Sequence, residues 1–148
     1  MNKPIINLYF EEEPGIDPKV LINTIDTISL FEIDSECSIR LVLKKTLINE
    51  KINCCLLISN HLVVGTWNRL RLFACDTQLE EATIDDAHQG HVAGLCLCRE
   101  NVFASVGQDG LVKLWCIDEG EESESNKLLR SLSSVDTLDA LFDGIPHA

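Results

Sequence analysis

Apolar and polar residues alternate at a period of two along much of this chain. Ile28 and Leu30 are interleaved with Thr27, Ser29 and Phe31; Leu70 and Leu72 alternate with Arg69 and Arg71; Val112 and Leu114 flank Lys113. Such alternation puts successive side chains on opposite faces of a β-strand. No sustained i, i+3, i+4, i+7 pattern occurs before Ser134, and β-branched residues crowd the apolar runs, so a helical reading fails. Each alternating run follows another apolar run across a short turn. Gln108-Asp109-Gly110 is a strong hairpin signal because glycine accepts a positive φ. Ile25-Asp26-Thr27 and Trp67-Asn68-Arg69 occupy the corresponding bends, with Asp or Asn where a left-handed residue is tolerated less well. Flanking strands are predicted over 52–58 and 92–98 before these pairs, and over 39–47, 79–84 and 127–132 after them.

The pattern repeats. Shifted by 42 residues, the segments 21–34 (LINTIDTISLFEID), 63–76 (VVGTWNRLRLFACD) and 105–118 (SVGQDGLVKLWCID) align without a gap. Leu30, Leu72 and Leu114 coincide, followed by Phe31, Phe73 and Trp115, then by Asp34, Asp76 and Asp118. Ile22, Val64 and Val106 also align, as do Ile28, Leu70 and Val112. The repeating unit is a four-stranded antiparallel meander of the size of one propeller blade. An all-β chain of three blades is therefore expected, over about 5–47, 52–86 and 88–132, with a separate tail at 133–148.

The third copy resembles a WD repeat. Ala87-His88, Val92, Leu95 and Leu97, Ala104-Ser105, Gln108-Asp109-Gly110 and Leu114-Trp115-Cys116 follow that family's order of a Gly-His pair, a strand, a Ser or Thr, an Asp-containing turn and a closing Trp-Asp. Ala87 stands where the family has Gly, and Cys116 where it has the final Asp. The resemblance implies a buried hydrogen-bond chain through His88, Ser105, Asp109 and Trp115. Satisfiability points the same way: a buried indole N–H needs an acceptor, which the Ser105 hydroxyl can supply while donating to His88. The second copy has Thr46, Val63, Trp67 and Phe73 at the four aligned places, and the first has Phe31 with no upstream His. The resemblance extends over residues 5–132 and implies a partial propeller acting as a non-catalytic scaffold for proteins or peptides. It also implies contact surfaces at loop ends: in the family the narrow top face and central opening usually bind peptides or domains, and Gln89, Gly90 and His91 and the loop around Asn60 and His61 are expected nearest such a face. A seven-bladed ring needs about 294 residues. Three blades thus imply a fragment or truncated part of a larger propeller, self-association, or ring completion by a partner chain.

Competing chemistry is weaker. Ser105, His88 and Asp109 have the composition of a hydrolase triad, but Ser105 sits between Ala104 and Val106 in a predicted strand, with no Gly-x-Ser-x-Gly turn. His88, His91, Cys96 and Cys98 could form a zinc set, with Cys54 and Cys55 as further members, but the H-x2-H-x4-C-x-C spacing of the first four fits no usual zinc pattern. No catalytic residue, metal or cofactor is expected. The stretch EGEESESN at 119–126 reads as a solvated loop, with Ser123 and Ser125 as phosphorylatable positions. Ser134 can cap a helix reaching Phe142, with Val135, Leu138, Leu141 and Phe142 on one side and Asp136, Asp139 and Asp143 on the other. Such a helix would fold back on an open blade or enter a partner's groove.

Charge narrows the partners. The chain has 148 residues, 24 acidic and 12 basic, for a net charge of −12. Residues 1–74 carry 9 acids and 8 bases, and residues 75–148 carry 15 and 4. This balance argues against nucleic acid and anionic membranes. The seven cysteines are odd in number, lie mostly in apolar runs and read as reduced thiols, and no signal-peptide pattern opens the chain. A cytoplasmic or nuclear location follows. An inert truncated product remains the bland alternative.

Overall fold

In the computed structural model, described over residues 3–5, 7–13, 15–58, 60–118 and 129–136, the chain forms twelve strands and three sheets. The first sheet contains β1 (Asn7–Glu13), β2 (Ile16–Asn23), β3 (Thr27–Ile33) and β4 (Ile39–Thr46). The second contains β5 (Cys54–Ile58), β6 (His61–Gly65), β7 (Leu70–Ala74) and β8 (Glu80–Ile84). The third contains β9 (Val92–Arg99), β10 (Val102–Gly107), β11 (Leu111–Ile117) and β12 (Leu129–Asp136). Each sheet is an antiparallel meander in chain order, so the protein is all-β and its sheets are partial-propeller blades. No helix occurs among the described residues.

The blades stack through two apolar layers. β5 shows why its sequence, CCLLI, lacks polar alternation: every residue is buried. Cys54, Leu56 and Ile58 join Val63, Leu70 and Leu72 against Phe103, Trp115, Ile117 and Leu129 of the third blade. Cys55 and Leu57 face the other way, joining Leu62, Val64 and Phe73 against Leu21, Ile28, Leu30 and Leu43 of the first. A strand buried on both faces reads as a continuous apolar run. The middle blade is thus the centre of the molecule.

Register corrects the gapless repeat. Val20 stands opposite Phe31, and Leu62 stands opposite Phe73, a step of 42 residues in both strands. Opposite Trp115, however, stands Phe103, only 41 residues beyond Leu62. The reason is hairpin length. Five residues separate the last paired Val106 and Val112, whereas four separate Gly65 from Leu70 and four separate Asn23 from Ile28. Gly110, at φ 78°, takes the left-handed position of the longer turn, and no residue of the two shorter turns is left-handed. Ser105 therefore occupies the place of Val64, not Val63. A one-residue slip in a strand moves a side chain to the opposite face: Val63 faces the third blade, and Ser105 faces the second.

The tail differs as well. Ser134, expected to cap a helix, is a strand residue opposite Lys113, and Val135 and Asp136 pair with Val112 and Leu111. Extending β12 gives the outer edge of β11 its backbone partners, which a helix beginning at Ser134 would leave unmade. Leu138, Leu141 and Phe142 lie outside the described residues, as does the 119–126 stretch.

Candidate functional site

A chain of polar side chains sits where the third blade meets the second. Ser105 is on β10, Trp115 on β11, Asp109 in the β10–β11 hairpin and His88 in the loop between β8 and β9. Trp115 Nε1 donates to Ser105 Oγ at 2.8 Å. Ser105 Oγ lies 2.7 Å from His88 Nε2, and His88 Nδ1 lies 3.0 and 3.2 Å from the two Asp109 oxygens. A carboxylate can only accept, so Nδ1 carries the proton, and the Ser105 hydroxyl, already accepting from Trp115, donates to Nε2. Asp109 also accepts from the Gln89 and Leu111 amides at 2.9 and 3.1 Å. Burial pushes the Asp109 carboxyl up, but those two amides and His88 outweigh it and hold the group below its ordinary range.

The surroundings leave little room for anything else. His88 and Ser105 are buried, with Ser105 at 0% exposure. A Cβ at Gly107 would fall 2.5 Å from the His88 ring and 2.8 Å from Asp109 Oδ1, so the close packing depends on glycine there. The β8–β9 loop is also stitched by backbone bonds to hairpins on both sides. Ala87 N donates to Asn68 O and Val92 N to Trp67 O, each at 2.8 Å, and Gln108 N donates to His91 O at 3.0 Å. The network thus fastens a loop between two blades.

A second feature lies at the same end of the blades. A cleft of about 520 Å³ is lined by Glu50, Lys51, Asn53, Trp67, Arg69 and His91, among others. Trp67 is 56% exposed and meets the His91 ring edge-on at 3.7 Å between centroids. Asn53 Nδ2 lies 3.2 Å from His91 Nδ1. Arg71 bridges Glu50 and Glu80 at 2.6 Å each, and Arg69 Nε pairs with Asp85 at 2.9 Å. Two of the paired groups respond as their contacts require. Glu80 is held below its ordinary range, first by its bond to Arg71, and Arg71 is raised, first by Glu80.

The structure brings Gln89, Gly90 and His91 to this end, with His91 against Trp67 and Gln89 against Asp109. It does not bring Asn60 and His61 there. Those residues lie at the opposite end of the second blade, where Cys75 N donates to Asn60 O and His61 Nδ1 sits 2.8 Å from Glu81. Strand topology explains the separation, because the β5–β6 turn and the β8–β9 loop leave opposite ends of the sheet. Exposed Trp67 was not among the residues expected at this end; a large aromatic in a four-residue turn was the available signal. Of the residues weighed for zinc, Cys54 and Cys55 are buried in opposite apolar layers, and burial pushes each thiol up to about 12. Both ring nitrogens of His88 already have protein partners.

Comparisons with known proteins give the fold. No protein-family model and no curated protein sequence matches the chain. Solved structures do. A chain of apo ctPRC2 in an autoinhibited state matches with a TM-score of 0.67 at 12% identity, over 80% of this chain and 29% of that one. A chain of Chaetomium thermophilum Polycomb Repressive Complex 2 in an inhibitor complex matches at 0.67 and 12%, over 80% and 30%. An active polycomb repressive complex 2 in the basal state matches at 0.67 and 12%, over 80% and 28%. This chain spans less than a third of the length of each.

Proposed function

We propose that the chain is a segment of WD-repeat-type propeller, with blades over about 5–47, 52–86 and 88–132, and that it serves as a non-catalytic scaffold for proteins or peptides in the cytoplasm or nucleus. The observation that carries this reading is the buried chain from Trp115 through Ser105 and His88 to Asp109. Its four members lock an interblade loop to a hairpin, the role the family resemblance implies. Likeness to chains of multi-subunit complexes supports a partner-binding role, and the net charge of −12 favours protein over nucleic acid or membrane. Loops on a rigid scaffold carry recognition, and the end bearing Trp67, Gln89, Gly90 and His91 is the contact surface in this reading.

A Ser-His-Asp hydrolase needs a serine oxygen open to a substrate carbonyl. Ser105 Oγ is instead buried and accepts from the Trp115 indole. Ser105→Ala separates the two roles. A structural network predicts a loss of about 1–3 kcal/mol in urea unfolding, because the indole and His88 Nε2 lose their partner, and no change in ester or amide hydrolysis. Unchanged stability together with the loss of a hydrolytic activity present in the parent chain would reverse the assignment.

A further inference from the structure

The cleft at Trp67 holds more hydrogen-bond donors than it uses, and the imbalance begins at Asn53. Asn53 Nδ2 donates to Thr66 O at 3.1 Å, which fixes the orientation of the amide. The same nitrogen lies 3.2 Å from His91 Nδ1. An amide nitrogen can only donate, so His91 Nδ1 accepts and the ring proton sits on Nε2. No described residue accepts from that Nε2–H, from the Trp67 indole N–H or from the Lys51 ammonium. All three residues line the cleft, so three unused donors border one space.

Charge points the same way. The charged residues lining the cleft are Glu50, Lys51 and Arg69. Glu50 is taken up by Arg71 at 2.6 Å and Arg69 at 3.6 Å, and Arg69 is also held by Asp85 at 2.9 Å. Lys51 is exposed and has no counter-ion among the described residues. The cleft is built on the second blade and the two loops that join it to its neighbours. Most of its lining falls within residues 1–74, which carry 9 acids and 8 bases, so the net charge of −12 resides mainly in the rest of the chain. Trp67 adds an exposed aromatic surface beside the donors.

We propose that this cleft takes a side-chain carboxylate from an acidic segment of a partner protein, with an apolar neighbour of that acid lying on Trp67. A carboxylate only accepts, and it supplies the charge that Lys51 lacks. A cationic group would meet a like charge, and donors in place of acceptors. A phosphate group fits less well, because its recognition relies on arginine forks, and those of Arg69 and Arg71 are engaged by Asp85, Glu50 and Glu80. The inference rests on the reading of this end as the contact surface.

Selection from a library of random heptapeptides, free of tryptophan and blocked at both termini, on the full chain tests it. Binding of the selected peptides is then titrated by tryptophan fluorescence, which reads the cleft because Trp67 is exposed and the other tryptophan, Trp115, is buried. Selected peptides should carry Asp or Glu beside an apolar residue and should change Trp67 emission. Replacing the acid by its amide should weaken binding at least about tenfold, as should Lys51→Glu, whereas Lys51→Arg should bind as the parent does. Lys51 is exposed, so both variants should melt with the parent. Nitrogen-15 shifts at alkaline pH should show His91 as the Nε2–H tautomer; the Nδ1–H tautomer overturns the proposal. So does selection of basic peptides or of peptides without an acid, equal binding of acidic peptides to Lys51→Glu, or tighter binding when phosphoserine replaces the acid. In each of these cases the chain binds peptides and the scaffold reading stands. A chain that melts cooperatively and selects no peptide rejects both.

Discussion

At the scale of single residues, Asp109 holds the tightest position. It accepts from two backbone amides and from His88, and its carboxyl is held below the ordinary 3.8 despite burial pushing it up. A carboxylate with a depressed folded pKa adds stability that is present above its unfolded value and lost as pH falls through the folded one. The parent chain should therefore lose melting temperature as the pH drops below about 4. Asp109→Asn removes this contribution. The variant should be less stable by about 1–3 kcal/mol at neutral pH, and its melting curve should converge on the parent's in acid. A gap that persists unchanged at low pH would mean that the loss is one of packing and not of charge. Other carboxylates, such as Glu80 with Arg71, titrate in both proteins and cancel in the comparison.

At the scale of elements, position in the stack decides what a substitution costs. Leu72 is fully buried in the layer between the second and third blades, and Leu41 lies on the open side of the first. Leu72→Ala should cost about 2–5 kcal/mol in chemical denaturation. Leu41→Ala should cost less than about 0.5 kcal/mol. Equal effects would mean that the blades do not stack in this order. Much of this architecture was legible in the sequence, because β3, β7 and β11 recur at a constant 42-residue spacing and carry Phe31, Phe73 and Trp115 at one register position. What was not legible depended on geometry that a linear pattern does not carry. The extra residue in the β10–β11 hairpin shifted Ser105 against Val64, yet both alignments placed apolar residues opposite one another. Ser134 is a plausible local cap, and only the backbone of β11 beside it makes strand the better state. Asn60 and Gln89 are both loop residues in sequence, and strand direction alone puts them at opposite ends.

At the scale of the whole molecule, thiol chemistry reports on which sheet faces are open. The seven cysteines supply the readout. Cys54 and Cys55 are buried, with thiols pushed up to about 12, and should stay silent toward a thiol-specific reagent until the chain unfolds. Cys37 is exposed in the loop between β3 and β4 and should react at once in the folded chain. Cys96 and Cys98 are exposed on β9 of the third blade and should react as fast as Cys37. Peptide mapping of the labelled chain distinguishes these sites. Slow labelling of Cys96 and Cys98 beside prompt labelling of Cys37 would mean that the outer sheet face of the third blade is covered in solution.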